Sequence, residues 1–249
     1  MEGKNTLAAG AEIFIDSIVL SAGIDGAESE TIDHRADWKK QHEIWSHANG
    51  TLASPSPSQQ DLAAAVIQLQ GAVELRDRLL DNLYNFTKIP NKTAKAPYPI
   101  MADLGIIRPT LKIQLRELRN RLAYEIEEPP LRREECEWLS DTAWYYLKAT
   151  DRLAQQCVHV LGIEYGTDKE NHSFFSVTFN RNAWSAWIEG NVAPGFLLDK
   201  ASADCLSVRL SRSEIQGYNN CHLKFCGEVT GSRPAVDRLI RCFFDESAL

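Results

Sequence analysis

The amino-acid sequence predicts an α+β protein, in which an antiparallel helical bundle is followed by a small β-rich domain with a C-terminal helix. Apolar residues recur at every third or fourth position through residues 57–165, which is the spacing of helices. After Gly166 apolar and polar residues alternate, which is the spacing of half-buried strands. A Ser- and Pro-rich stretch at residues 50–58 separates the bundle from what precedes it. We therefore divide the chain into an N-terminal segment (1–56), a helical bundle (57–165) and a β-rich domain (166–249).

The N-terminal segment has no single predicted fold. Its apolar run at residues 11–20 fits the spacing of a strand and that of a helix. The polar stretch at residues 28–48 is predicted to be helical. Its histidines His34, His42 and His47 lack the i,i+4 spacing of a helical metal site, so we interpret them as part of a solvated helix face. Whether residues 1–50 pair with the C-terminal sheet stays open.

The first helix of the bundle begins at Ser58, a residue type that caps helix N-termini. Asp61, three positions later, places a carboxylate near the positive end of the helix dipole. Beyond it, apolar residues recur at steps of three and four, with one seven-residue step across Arg76. This apolar stripe comprises Leu62, Val66, Leu69, Val73, Leu80 and Leu83.

Two further long helices follow a loop at residues 89–99. The second carries one apolar face, runs into Glu125 and is stopped by Pro129 and Pro130, because proline cannot continue a helix. That face comprises Leu111, Leu115, Leu118 and Leu122. The third helix is predicted from Arg132 to Leu161, with helix-breaking Gly162 just beyond. Three long helices with connections of modest length predict an antiparallel bundle.

The β-rich domain is predicted from three segments of alternating polarity, at residues 174–179, 206–211 and 221–225. The tail then returns to helical spacing. Ser232 is the expected cap and Pro234 falls in the first turn. The apolar face of this terminal helix comprises Val236, Leu239, Ile240 and Phe243.

The end of the second bundle helix carries the sequence Arg-Asn-Arg-Leu-Ala-Tyr-Glu at residues 119–125. In its setting before a turn and another long helix, this stretch resembles the signature of the HEPN family, over a region of residues 58–161. RNA-cleaving HEPN proteins carry an Arg, usually a polar residue next, and a His after a gap of four to six residues. Here Tyr124 stands where that histidine is expected. The resemblance implies a HEPN-like bundle that forms a homodimer.

The resemblance also implies roles for individual residues. Arg119 is the expected phosphate clamp, since a guanidinium is planar and permanently charged, and Asn120 is its helper. Tyr124 takes the place of the catalytic histidine. A phenol with a pKa near 10 is a poor general base at pH 7, although it is a reasonable acid or hydrogen-bond donor. Arg116 and Arg121 are the further candidates for ligand binding.

Three functions stay open on these residues. The favoured one is a HEPN-like protein with a degenerate motif that binds RNA, a nucleotide-type ligand or a protein partner, in a prokaryotic defence or toxin–antitoxin setting. The alternatives are a metal-independent endoribonuclease that uses Arg119, Asn120 and Tyr124, and a non-catalytic structural or assembly subunit. Residues 108–133 hold seven basic and four acidic side chains, which favours a phosphate ligand over a pure scaffold. The motif also fits a purely structural role at a helix terminus.

Composition limits the remaining possibilities. A net charge of −7 argues against a broad basic surface for nucleic acid but allows a local one. The six cysteines form no CxxC pair and are expected to be reduced, with no metal site and no cofactor. No run of apolar residues is long enough to span a membrane, and the N-terminus lacks an unbroken apolar leader. We expect a cytoplasmic protein without membrane contact.

Overall fold

The protein is described by a computed structural model that covers residues 7–21, 24–31, 37–89, 96–108, 110–123, 130–166, 172–202, 205–216, 222–230 and 233–244. The chain forms two compact units. The helical unit consists of Thr31–Thr87 and Lys92–Cys157, and the sheet unit of Met1–Glu30, Lys88–Asn91 and Val158–Leu249. The mixture of helices and an antiparallel sheet confirms the predicted α+β class.

In its described part, the helical unit contains the helices α1 (Asp37–Leu52), α2 (Gln59–Tyr84), α3 (Pro97–Asp103), α4 (Thr110–Ala123) and α5 (Arg133–Gln155). The strands of the sheet are β1 (Glu12–Asp16), β2 (Ile24–Thr31), β3 (Gln156–Tyr165), β4 (Ser173–Asn180), β5 (Ser185–Val192), β6 (Leu197–Leu198), β7 (Cys205–Gln216) and β8 (His222–Val229). Helix α6 (Arg233–Phe243) follows them. None of the described helices is long and apolar enough to cross a membrane.

The predicted start of the first long helix is confirmed in detail. Ser58 Oγ accepts a hydrogen bond from the Asp61 backbone N–H at 3.2 Å, and the Asp61 carboxylate accepts one from the Ser58 backbone N–H at 2.9 Å. This reciprocal capping box satisfies two N–H groups that the first turn leaves without partners. The hydrogen bonds from the Ser58 side chain and backbone lower the pKa of Asp61. At the other end, Asn85 adopts a left-handed conformation with φ 48° and closes α2.

The predicted apolar faces of the bundle form its core. On α2, every stripe residue through Leu80 is buried, and Leu83 is half-buried. On α4 the predicted face is buried at Leu111, Leu115 and Leu118. On α5 the buried apolar residues include Leu139, Ala143, Leu147 and Leu153. Helix α1 packs against both α2 and α5, so the bundle has one more long helix than the three predicted.

The third bundle helix is shorter than predicted. It ends at Gln155 instead of Leu161, and the chain continues directly as strand β3. Leu161 pairs with Val177 of β4 and Ile163 pairs with Phe175. Both Leu161 and Ile163 are buried at a spacing of two. Long-range strand pairing therefore overrides the helical spacing that connects Leu153 with Leu161.

The N-terminal segment is divided between the two units. Strand β1 pairs antiparallel with β7 and β6, which answers the question of whether this segment joins the C-terminal sheet. The stretch predicted to be helical over residues 28–48 is a strand up to Thr31, and α1 begins only at Asp37. The predicted boundaries at residues 56 and 165 therefore do not coincide with those of the compact units.

The eight strands of the sheet lie in the order β2-β3-β4-β5-β8-β7-β1-β6. The predicted alternation is confirmed in β4, where Phe175, Val177 and Phe179 are buried and their neighbours lie on the other face. Helix α6 covers the buried face, with the rings of Phe179 and Phe243 4.5 Å apart. The expected terminal helix is thus confirmed, although its predicted cap, Ser232, lies outside the described residues.

At the centre of the helical unit, Arg76 is wholly buried and joins three helices. Its Nη2 donates to Asp151 Oδ1 of α5 at 2.9 Å and to the Trp38 carbonyl of α1 at 3.3 Å. Its Nη1 donates to Thr150 Oγ1 at 3.3 Å and to the Leu147 carbonyl at 3.4 Å. The apolar stripe of α2 skips one turn at Arg76 because this position in the core is occupied by a buried, charged side chain.

Asp151, the partner of Arg76, also contacts His42 of α1. The His42 Nε2 lies 2.7 Å from Asp151 Oδ1, and the Lys148 Nζ lies 3.6 Å from Asp151 Oδ2. The side chain of His42 is only 20% exposed, so the interpretation of this residue as part of a solvated helix face is wrong. The network replaces hydrogen bonds to water that the two terminal nitrogens of the buried guanidinium have lost, whereas Nε has no partner among the described residues.

Replacing Arg76 with leucine should lower the free energy of unfolding by about 3 kcal/mol. The substitution keeps an apolar side chain in the space but leaves the Asp151 carboxylate without its main partner, and breaking a buried ion pair is costly. Urea unfolding followed by circular dichroism measures the change. Arg78→Leu, an exposed position on the same helix, is the control and should change stability by no more than about 0.5 kcal/mol. Equal losses in the two variants would contradict the role given to Arg76.

Candidate functional site

The predicted motif lies on α4 and just beyond it. Asn120 is exposed near the end of the helix. Arg119 and Arg121 belong to the same helix, but their side chains, and all of Tyr124, lie outside the described residues. The catalytic roles expected of Arg119, Asn120 and Tyr124 therefore stay predictions. Arg116, the remaining predicted site residue, is exposed and lines a pocket.

This pocket, which we name the Lys112 pocket, lies between α2, α3 and α4 and has a volume of about 410 Å³. Its interior is mainly apolar and includes Val73 of α2, Pro99 of α3 and Leu115 of α4. Tyr98 of α3 contributes a ring that is almost fully buried. A concave apolar pocket of a few hundred Å³ with a small number of polar groups is the usual form of a small-molecule site.

Lys112 is held in place at this pocket by three contacts. Its Nζ lies 2.7 Å from Asp77 Oδ2 and 4.7 Å from the centre of the Tyr98 ring. Its backbone N–H donates to Tyr98 Oη at 3.2 Å, and Tyr98 Oη donates in turn to the Arg108 carbonyl at 2.9 Å. Tyr98 therefore satisfies an N–H group in the first turn of α4 and also supports the ammonium group through its ring. The Lys112 side chain remains 42% exposed, so it is accessible from the pocket side.

Behind Lys112, Asp77 is buried and binds a second group. Its Oδ1 accepts a hydrogen bond from Tyr146 Oη at 2.5 Å. Burial, followed by the negative charge of Asp77, raises the pKa of Tyr146 well above its ordinary value. Burial also raises the pKa of Tyr98, and the charge of Asp77 adds to the effect. Both phenols are therefore protonated donors at neutral pH, suited to holding Asp77 and α4 in place and unsuited to accepting a proton.

The rim of the Lys112 pocket carries groups of two kinds. On α2, Gln70 Nε2 donates to Glu74 Oε1 at 2.6 Å, which leaves further acceptor and donor atoms of this pair available. On α4, Arg116 makes no hydrogen bond or ion pair with any described residue. Lys112, Arg116 and Asn120 follow each other at steps of four, which on a helix places them about 6 Å apart along one side. This arrangement offers cations on one side of the opening and an amide–carboxylate pair on the other.

Of the residues at this site, Arg116 was predicted from the sequence, whereas Asp77, Tyr98 and Tyr146 were not. A signal for Asp77 was present, since Arg76 and Asp77 interrupt the apolar stripe of α2 as adjacent charges. Charges in the middle of an otherwise apolar face are unusual unless they are paired within the core. The partners on other helices had no signal in the sequence, because they are about 70 residues away along the chain for Tyr146 and 35 for Lys112.

The sheet unit offers a second surface, on the face opposite α6. Trp187 is 42% exposed there, and its indole N–H donates to Cys226 Sγ at 3.0 Å. The same face mixes charges of both signs, since Arg209 of β7 pairs in register with Glu228 of β8. Charges of both signs do not select an anionic ligand. The Lys112 pocket is therefore the stronger candidate site.

Searches against protein-family models, curated proteins and solved structures find no match for this chain. The resemblance to the HEPN family accordingly remains a prediction from the motif at residues 119–125.

The buried Tyr146 hydroxyl predicts a specific loss of stability in alkali. A phenol whose pKa is raised by folding binds its proton more tightly in the native state, so its contribution is complete below pH 10 and declines as the pH rises above that value. In Tyr146→Phe, the slope of unfolding free energy against pH above pH 10 should be less steep by about 1.4 kcal/mol per pH unit, which corresponds to one proton. Urea unfolding at a series of pH values measures the slope.

Tyr145→Phe provides the control for this experiment. Tyr145 is the preceding residue on α5, but its side chain is exposed, and it makes no hydrogen bond to Asp77. Its removal should leave the alkaline slope as in the unmodified protein. An equal change of slope in both variants would show that the buried hydrogen bond to Asp77 is not responsible.

Proposed function

We propose that the helical unit binds a nucleotide-type ligand, a free nucleotide or one nucleotide of an RNA chain, in the Lys112 pocket. The observation that carries the proposal is that the Lys112 pocket, with a volume of about 410 Å³, has an apolar interior, cations on one rim and an amide–carboxylate pair on the other. A nucleotide has matching parts, since its base is flat with polar edges and its phosphate is an anion.

The cations on α4 support phosphate binding. Lys112 is fixed by Asp77 and Tyr98, so little conformational freedom is lost when it contacts an anion. Arg116, one turn further along, presents a guanidinium fork that matches two phosphate oxygens. Asn120 and the motif residue Arg119 continue the same helix, and by the HEPN resemblance they extend the phosphate-binding surface toward the next nucleotide.

The α2 side of the rim supports recognition of a base. A glutamine amide can bind the adjacent acceptor and donor atoms of a base edge, and a carboxylate accepts hydrogen bonds from an exocyclic amine. Gln70 and Glu74 supply these two groups side by side. The apolar walls at Val73 and Pro99 supply contact for the faces of the base.

Binding without cleavage is the form that we propose, because Tyr124, expected in the place of the catalytic histidine, is a phenol and therefore a poor general base at neutral pH. Tyr98 and Tyr146 have raised pKa values and hold their protons at neutral pH, so neither acts as a general base. The setting in prokaryotic defence or toxin–antitoxin systems, and the homodimer, come from the HEPN resemblance alone and are proposed on that basis.

Arg116→Ala should weaken nucleotide binding about tenfold, because it removes a charged contact to phosphate from an exposed position that the fold does not need. Isothermal titration with adenosine monophosphate and with a short single-stranded RNA tests both forms of the ligand. Raising the salt concentration should weaken binding of the RNA more than that of the mononucleotide, since more phosphates are neutralised. Arg209→Ala, which removes an exposed arginine from the sheet unit, is the matched control and should have no effect.

The two probes distinguish the two forms. Tighter binding of the RNA identifies a chain that extends along α4, and tighter binding of the mononucleotide identifies a small-molecule site. The proposal fails if neither probe gives saturable binding, or if Arg116→Ala and Arg209→Ala weaken binding equally.

A further inference from the structure

The α2 side of the Lys112 pocket carries a polar pair, Gln70 and Glu74, whose hydrogen-bonding atoms form a short row. Gln70 Nε2 donates to Glu74 Oε1 at 2.6 Å, and both side chains line the pocket. Within the described part of the chain, no other side chain binds the Gln70 amide or the Glu74 carboxylate. Pairs of this type also form on solvated helix faces, but this one borders a pocket, so its remaining atoms can meet a ligand.

The available atoms of the pair follow in a fixed order. An amide nitrogen carries two N–H donors, and because one N–H of Gln70 is engaged with Glu74, the second is available. A carboxylate accepts several hydrogen bonds on its two oxygens, so both oxygens of Glu74 can still accept. The row therefore reads donor, acceptor, acceptor. It is short enough to face the edge of a single base.

Guanine carries the complementary order on its Watson–Crick edge. Its O6 accepts a hydrogen bond, whereas its N1–H and its N2 amine donate. When this edge faces the row, O6 meets the Gln70 amide, and the N1–H and the amine meet the two oxygens of Glu74. All three hydrogen bonds then form. Two of them have a charged acceptor, which makes them stronger than hydrogen bonds between neutral groups.

The other bases do not match this order. Adenine presents an amine and then the N1 acceptor, so its amine meets the amide N–H and its N1 lone pair meets the carboxylate. Cytosine places two acceptors against the carboxylate, and uracil places one. A site built to form hydrogen bonds discriminates strongly against a ligand that leaves its polar groups unmatched, because those groups have given up their hydrogen bonds to water.

We propose that the Lys112 pocket prefers guanine nucleotides and that Gln70 and Glu74 determine this specificity, a proposal that rests on the proposed binding of a nucleotide in this pocket. The apolar walls at Val73 and Pro99 contact either purine, and the cations on α4 attract the phosphate of any nucleotide, so neither feature selects the base. Adenosine monophosphate therefore still binds, but more weakly than guanosine monophosphate.

Isothermal titration of the full chain with guanosine, inosine and adenosine monophosphate tests the preference. Guanosine monophosphate should bind at least about tenfold more tightly than adenosine monophosphate, since a well-placed bidentate contact discriminates between bases by this much or more. Inosine monophosphate, which lacks only the N2 amine, should fall between the two. Equal affinities for the guanosine and adenosine compounds would overturn the preference alone, whereas failure of all three to bind saturably would overturn nucleotide binding as well.

Glu74→Gln keeps the size of the side chain but replaces one acceptor with a donor, so it should lower the ratio of guanosine to adenosine monophosphate affinity about tenfold. A general disturbance of the pocket would weaken both nucleotides equally, so the ratio isolates the contact with the base. Glu43→Gln, at an exposed position of α1 that does not line the pocket, is the matched control and should leave the ratio unchanged. Circular dichroism establishes that both variants are folded. An unchanged ratio in Glu74→Gln, or an equal change in Glu43→Gln, would overturn the proposal.

Discussion

The helical unit depends on the burial of one guanidinium, that of Arg76. A charge that has lost all contact with water must be compensated by neighbours, and here the compensation comes from three helices. Each of these partners has to be in place for Arg76 to be tolerated, so the network selects one packing of α1, α2 and α5 among those that the apolar faces allow. This is the sense in which a buried ion pair specifies a structure even where it adds little to stability.

Asp77, the residue after Arg76, forms a second set of buried contacts, which reaches the proposed site. Asp77 lies about 100° further around α2 and binds Tyr146 of α5 and Lys112 of α4. Through Lys112 and Tyr98, the positions of α3 and α4 are linked to the same core. The cation at the opening of the Lys112 pocket is thus supported by a second layer of buried groups, which is the arrangement that a binding site requires for precise geometry.

Helix α4 divides two chemically opposite pockets. Its buried leucines anchor it on the bundle, Lys112 and Arg116 line one pocket, and Gln114 and Glu117 line the other. An anion suits the first pocket, because Lys112 and Arg116 line its rim. The proposed nucleotide site lies on the same helix that carries, at its end, the motif predicted from residues 119–125.

A feature could be predicted from the sequence when the residues that form it lie close together along the chain. The capping box at Ser58, the apolar stripe of α2 and the alternation in β4 are local patterns, and the sequence predicted them correctly. The end of α5 was misplaced because Leu161 satisfies both a helical and a strand pattern, and only the pairing with β4 decides between them. The site was recognised at Arg116 alone, since Asp77 and Tyr146 meet across the bundle.

Amide chemical shifts measured by NMR during addition of adenosine monophosphate show whether a nucleotide-type ligand occupies the Lys112 pocket. We expect the largest shift changes at residues 70–74, 98–99 and 112–116, which surround that pocket. Shift changes that cluster instead around Trp187 on the sheet, or an absence of saturable changes at residues 112–116, would contradict it.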